Sequence, residues 1–204
     1  MHTPILSQIQ TLLIASNNKG KVIEIAQLLA PLGITVKSAT EYNIAEPHET
    51  AADFIGNARL KAKYYGDIAQ LPALADDSGL CVDALDGDPG IYSARWAGPN
   101  KDFMHAMNTI EQKLKAKNLV SSSAHFTCAL SLYLPNNNGG SFIDVEGFVN
   151  GKLTFPARGE HGFGYDPIFI PTGHNQTFAQ MDASLKYTLS HRTDAFKKLL
   201  GKLS

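Results

Sequence analysis

Two adjacent carboxylates close an apolar run in Ala75-Asp76-Asp77-Ser78-Gly79-Leu80. Such hard oxygen donors suit Mg2+ or a general base. Successive residues of a strand face opposite ways, so if the strand persists only one of the pair meets a ligand. A turn that uses Asp and Gly for local hydrogen bonds is the competing reading. Ser16-Asn17-Asn18-Lys19-Gly20-Lys21 lies between an apolar run and a helix start. A loop so placed aims unpaired N–H groups and the positive end of a helix dipole at one point, as a phosphate chain requires. Gly20 allows close approach, Lys19 and Lys21 add charge, and Ser16, Asn17 and Asn18 add donors. The stretch lacks the upstream Gly and the Ser or Thr after Lys of a Walker loop. Taken alone, a polar N-cap followed by two surface lysines explains it equally well.

Asn57 and Lys61 share a helical face, with Glu46 and Glu49 just upstream as possible metal-binding carboxylates. In isolation an ordinary solvated face is the simpler explanation. Gly162-Phe163-Gly164-Tyr165-Asp166-Pro167 places glycines on both sides of an aromatic ring, leaving room for a flat ligand, although a Gly-rich turn with core aromatics has the same composition. Ser190-His191-Arg192, four residues after Lys186, offers donors to carbonyl oxygens but says little alone.

The elements that must carry these residues follow from periodicity. Thr11–Ala15 reads as a buried strand, and Val22, Ile25, Ala26 and Leu29 as a helix ended by Pro31 and Gly33. Ile34–Val36 predicts a second strand, Ala52–Tyr65 a helix burying Phe54, Ala58, Ala62 and Tyr65, and Ala73–Ala75 a short strand. Asp102–Lys117 predicts another helix, His125–Leu134 and Ser141–Val149 a long antiparallel hairpin around Pro135–Gly140, and Thr193–Leu203 a last helix. The expected fold class is α/β: a mixed central sheet with a long antiparallel hairpin, flanked by helices, in two lobes around an active-site cleft. No linker separates domains, so residues 1–204 are expected to form a single domain.

The 204 residues carry a formal net charge of -1 and 44% hydrophobic residues. No basic stripe exists to neutralise a long nucleic acid, but a small anionic ligand needs only local cations. Two cysteines, Cys81 and Cys128, make neither a disulfide framework nor a zinc site and suit a reduced, cytoplasmic setting. The N-terminal stretch Met1–Gln8 has no charged and apolar leader pattern, and no apolar run approaches a membrane span.

Jointly and in order, these stretches resemble the inosine triphosphate pyrophosphatase family, the house-cleaning XTP/dITP diphosphatases. The matching segments are Ser-Asn-Asn-Lys-Gly-Lys-x-x-Glu at 16–24, Asn-Ala-x-x-Lys-Ala at 57–62, Ala-Asp-Asp-Ser-Gly-Leu at 75–80 and Pro-Gly-Ile-Tyr-Ser-Ala-Arg at 89–95. Gly-Phe-Gly-Tyr-Asp-Pro-Ile-Phe at 162–169 and Ser-His-Arg at 190–192 complete the set. The resemblance implies hydrolysis of noncanonical purine nucleoside triphosphates (ITP, dITP, XTP) to the monophosphate and pyrophosphate, with Mg2+ as cofactor and a homodimeric state. It implies Asp77 as the catalytic acid residue, with Lys61 assisting near the phosphates, and a metal held by Asp77 and Glu49, with Glu46 in reserve. Ser16, Asn17, Asn18, Lys19, Gly20 and Lys21 would hold the triphosphate and Ser78 would touch the ligand. Phe163, Gly164, Tyr165, Asp166, Lys186, His191 and Arg192 would surround the base.

Three positions depart from the family's usual residues: His48 before Glu49, Asp53 before Phe54, and Tyr187 after Lys186. The Maf-type nucleotide pyrophosphatases share the plan and reaction but prefer pyrimidine or modified bases, and the stretches at 163–166 and 190–192 argue against them. A nucleotide sensor without turnover is disfavoured because Asp77 and Lys61 are both present.

Overall fold

A computed structural model of the protein describes residues 9–203. The Met1–Gln8 stretch, read above as lacking a leader, lies outside the described residues. Six strands form one mixed sheet: β1 (Thr11–Ile14), β2 (Thr35–Ser38), β3 (Ala73–Val82), β4 (Ser123–Leu134), β5 (Ser141–Leu153) and β6 (Phe169–Pro171), in the order β2-β1-β3-β4-β5-β6. β1 runs parallel to both β2 and β3, whereas β5 and β6 are antiparallel. β4 and β5 are neighbours, and Leu153 N–H donates to Ser122 C=O at 2.9 Å at the end remote from their loop. So short a connection permits only the antiparallel hairpin expected from the alternation. Asn136 Oδ1 fixes the turn by accepting from Asn138 N–H at 2.8 Å and Gly140 N–H at 3.0 Å.

The helices are α1 (Lys19–Leu29), α2 (Phe54–Ala69), α3 (Ser93–Trp96), α4 (Phe103–Ala116), α5 (Ala183–Leu189) and α6 (His191–Leu203). α1 gives way to a tight turn over Ala30–Leu32 and stops at Gly33, whose φ of 67° is left-handed, as the Pro31 and Gly33 signals predicted. No helix among the described residues is long and apolar enough to cross a membrane.

The chain folds as two compact units. Among the described residues, the first comprises 9–77, 128–147 and 192–203; the second comprises 78–127 and 148–191. In the first, α2 turns Ala62 and Tyr65 onto Leu13 and Ala15 of the β1 segment and Ala73 and Ala75 of β3. In the second, α4 packs Ala106, Met107, Ile110 and Leu114 with Leu80, Val82, Phe126, Phe169 and Phe178. Both cores are contiguous apolar clusters of the kind that holds a layered α/β unit together.

Three local differences from the sequence reading have clear causes. β3 does not stop at Ala75 but continues through Asp76 and Asp77 to Val82, because both carboxylates meet buried countercharges. α6 begins two residues before Thr193, at His191. α5 is a seven-residue helix of mostly exposed side chains, with no apolar periodicity to announce it.

Candidate active site

α1 starts with a side-chain cap. Asn18 Oδ1 accepts from the N–H of Gly20 at 3.0 Å and of Lys21 at 3.3 Å, and Ser16 Oγ accepts from Asn18 N–H at 3.2 Å. Asn17 donates from Nδ2 to the Tyr65 hydroxyl at 3.1 Å. The stretch 16–21 is thus a polar N-cap, and it also directs Lys21 inward. Lys21 Nζ lies 2.5 Å from Asp76 Oδ1, while Lys19 is exposed. The polar N-cap is there, but of the two lysines expected at the surface only Lys19 is exposed.

The helix that follows the acidic loop departs furthest from an ordinary surface. Asn57 and Lys61, for which a solvated face was the simpler explanation, are 0% and 5% exposed. Lys61 Nζ sits 2.5 Å from Glu49 Oε1 and 2.9 Å from Asp77 Oδ1. Burial alone would lower the pKa of this ammonium, but Asp77 and Glu49 outweigh it and raise it. Burial raises the pKa of Asp77, with Lys61 and Lys21 opposing. Glu46, the reserve ligand, is exposed, whereas Glu49 closes on the buried pair. Asp53, unusual at its position, caps α2 by accepting from Gly56 N–H at 2.6 Å, the same task a Thr performs there.

Asp76 and Asp77 alternate across β3, as an extended strand requires. Asp77 goes to Lys61, and Asp76 to Lys21 and Arg192. Arg192, expected beside a base, is 1% exposed. Its Nε donates to Asp76 Oδ2 at 2.9 Å and its Nη1 to Glu24. Cys128 Sγ donates to the same Asp76 Oδ2 at 2.9 Å. Neither Glu24 nor Cys128 was singled out by function from the sequence. Glu24 had one signal: it lies three residues after Lys21, on the same face of α1.

One ammonium faces two carboxylates in the Glu49–Lys61–Asp77 group, and Asp77 Oδ2 has no hydrogen-bond partner among the described residues. Two carboxylates and an unsatisfied oxygen fit Mg2+, which takes one or two protein carboxylates and completes its shell with water and substrate oxygens. Among the described residues no group of three or more His, Cys, Asp or Glu gathers as a full protein cage.

The second unit assembles the remaining candidates around Asp166. Its Oδ2 accepts from Phe163 N–H at 2.8 Å and from Lys186 Nζ at 2.7 Å. Lys186 Nζ also lies 4.7 Å from the centre of the Phe163 ring. Gly162 has a φ of 75°, and a Cβ there would fall 2.1 Å from Asp166 Oδ2, so only glycine lets the carboxylate reach the loop. Gly164, φ 67°, precedes Tyr165, which is buried and donates to Ser93 C=O at 2.8 Å. His191 is buried and stacks on Phe126 at 4.9 Å, 14° between planes. Ser78 is half-buried on β3. Tyr187 is half-buried and His48 exposed.

Comparison with known proteins supplies what geometry does not. A family model described as the Ham1 family matches residues 12–202. The dITP/XTP pyrophosphatase of Rhodospirillum centenum is 55% identical over 193 residues, which covers 94% of this chain and 94% of that protein. The protein of the same name from Zymomonas mobilis is 50% identical over 191 residues, covering 93% and 90%. Among solved structures, a HAM1 protein from Coxiella burnetii superposes with a TM-score of 0.84 at 36% identity, covering 94% of this chain and 96% of that one. The Staphylococcus aureus Ham1 protein gives 0.80 at 34% identity, covering 94% and 96%.

Proposed function

This chain belongs to the Ham1 family, and from that premise we infer that it hydrolyses the noncanonical purine nucleoside triphosphates ITP, dITP and XTP to the monophosphate and pyrophosphate. One observation carries the chemistry: the buried Lys61–Asp77 pair with half-buried Glu49 beside it, and Asp77 Oδ2 without a hydrogen-bond partner among the described residues. Lys61 holds one oxygen of Asp77 at 2.9 Å and so presents the other in a fixed direction. A water beside that oxygen gives up its proton to Asp77 as its own oxygen bonds to the α-phosphorus. The bond from that phosphorus to the bridging oxygen then breaks, and pyrophosphate leaves. Raising the Asp77 pKa by burial makes it a stronger base than an exposed carboxylate. Mg2+ held by Asp77 and Glu49 would neutralise charge on the phosphate oxygens.

The remaining residues divide by ligand chemistry. Ser16 to Lys21 belong to the triphosphate, which needs cations and donors at the start of a helix. Phe163 to Asp166, Lys186 and His191 belong to the base, with Phe163 offering a ring face and the Lys186–Asp166 pair fixing the loop. Arg192 joins them as a donor to the base. A purine with a carbonyl at position 6 accepts from His191 and Arg192, whereas adenine brings an amino donor to them. Each buried donor left unpaired costs about 1–3 kcal/mol, so two mismatches give roughly tenfold to ten-thousandfold discrimination. A homodimer and a cytoplasmic location complete the reading, the latter supported by two buried free thiols.

The test is pyrophosphate release from ITP, XTP, dITP, GTP and ATP with and without Mg2+. We expect ITP, dITP and XTP to be cleaved in a metal-dependent way and ATP to lag by at least tenfold in kcat/KM. Comparable kcat/KM for ITP and ATP would overturn the base preference. Full activity after chelation of divalent ions would overturn the metal assignment.

A further inference from the structure

Asn57 shares its helical face with Lys61 yet has no part in the assigned reaction. It is 0% exposed. Its Oδ1 accepts from the Ala51 N–H at 3.0 Å, and its Nδ2 has no hydrogen-bond partner among the described residues. A buried amide donor left unmet is a cost to the fold, so stability alone does not explain an asparagine here. What the side chain does is grip the backbone two residues after Glu49.

That grip matters because residues 43–53 form neither helix nor strand. No ladder of backbone hydrogen bonds sets Glu49, so its carboxylate is placed by the points at which the stretch is tied down. α2 supplies several of them. Lys61 Nζ takes Glu49 Oε1 at 2.5 Å, and Asn57, one turn earlier, takes the Ala51 N–H. Gly56 completes the seat: a Cβ there would fall 2.6 Å from Ala51 Cβ, so only glycine lets Ala51 lie so close to the helix. One helix therefore sets both the backbone of the acidic stretch and the ammonium that meets Asp77 Oδ1 at 2.9 Å.

We propose that Asn57 is a positioning residue for the metal site: by holding the backbone at Ala51 it sets Glu49 beside Asp77, so that the two carboxylates meet one divalent cation together. The proposal rests on the assignment of Mg2+ to Asp77 and Glu49. Without this tie Glu49 would still reach Lys61 through two flexible side chains, but from a backbone free to shift. A cation that demands near-octahedral oxygens tolerates such looseness poorly, and the groups that orient its ligands govern its affinity.

Mn2+ takes the same hard oxygen ligands as Mg2+, and the electron paramagnetic resonance signal of the free ion is lost on binding. Its Kd is measured without nucleotide for the wild type, Asn57→Ala, Glu49→Gln and the double variant. Glu49→Gln should weaken Mn2+ at least about tenfold, and Asn57→Ala about tenfold. In the Glu49→Gln background no carboxylate remains at that position to be placed, so adding Asn57→Ala should change Kd less than about twofold. If Asn57→Ala does not fold, Gly56→Ala serves in its place. The added methyl pushes Ala51 away and should weaken Mn2+ to a similar degree, and a second change, Ala51→Gly, removes the atom it meets and should recover most of the loss.

An asparagine that merely braces α2 would lower Tm when replaced and leave the Mn2+ Kd at its wild-type value. That result, or an equal effect of Asn57→Ala in both backgrounds, would overturn the proposal while the metal assignment stood. No effect of Glu49→Gln on Mn2+ would remove Glu49 from the metal and the proposal with it.

Discussion

The candidate phosphate side and the candidate base side are built on different principles. In the first unit, Lys21, Asp76, Arg192 and Glu24 form one balanced run of ion pairs, and Glu49, Lys61 and Asp77 form a group with two carboxylates to one ammonium. In the second, one pair, Lys186–Asp166, lies against the Phe163 and Phe178 rings, and His191 stacks on Phe126. A triphosphate is a chain of full charges, and fixed countercharges must be in place before it arrives, since reorganising them at the moment of reaction would raise the barrier. A purine is neutral and flat, so what it needs is a ring face, an edge of donors and a loop that does not move. The group around Lys61 carries more anion than cation, whereas the run of pairs through Asp76 is balanced.

If that contrast is right, the largest effect comes from the unbalanced group. Asp77→Asn keeps the shape and the contact with Lys61 but removes the base, so kcat for ITP should fall about a thousandfold while the nucleotide Kd changes little. Loss of binding to the same degree would make Asp77 a holding residue and break the contrast. Lys61→Met leaves Glu49 and Asp77 facing each other in a buried place. It should cost about 3–5 kcal/mol of unfolding free energy in denaturant titration. Added Mg2+ should restore part of that loss, because a cation binding the folded state alone raises its stability. A variant indifferent to Mg2+ would remove the two carboxylates from the metal assignment.

How much of this could be read beforehand depended on sequence distance. The capped start of α1, the alternation of Asp76 and Asp77, and the long hairpin each rest on near neighbours, and residue type with spacing reveals them. The burial of Asn57 and Lys61 did not, because a 16-residue helix with polar residues on several faces reads as solvated until its countercharges are known. Those countercharges lie 12 and 16 residues away. Arg192 pairs with Asp76 across 116 residues and with Glu24 across 168, and no periodicity links them. Glu24 stood inside a recognised stretch without a task, and Cys128 was read only as one of two cysteines of a reduced setting. α5 was invisible for the opposite reason: it buries Lys186 and little else, so it carries no apolar signature.

The base side supplies the next test. Lys186→Met keeps the length of the side chain and removes its charge, taking away a hydrogen bond to Asp166, whose Oδ2 also accepts from Phe163 N–H. KM for ITP should rise about 10- to 100-fold, while the Kd of tripolyphosphate stays within about twofold. An equal loss for both ligands would mean that the two regions are not separable in the way their construction suggests.

The smallest effect asks whether Tyr165 belongs to the ligand or to the core. Its hydroxyl donates to Ser93 C=O at 2.8 Å, its ring meets Phe103 edge-on at 5.3 Å, and burial pushes its pKa above the ordinary 10.0. A group whose folded pKa is raised contributes stability that is complete below its unfolded pKa and is lost as pH rises through the folded one. For Tyr165 that decline begins near pH 10. Tyr165→Phe should therefore cost about 1 kcal/mol at neutral pH, from the lost hydrogen bond, and should flatten the fall in stability above pH 10. With the side chain walled into the core, KM for ITP should not change. A rise in KM without loss of stability would return Tyr165 to the base-binding group and make the second unit's aromatic cluster a ligand surface rather than a support for one.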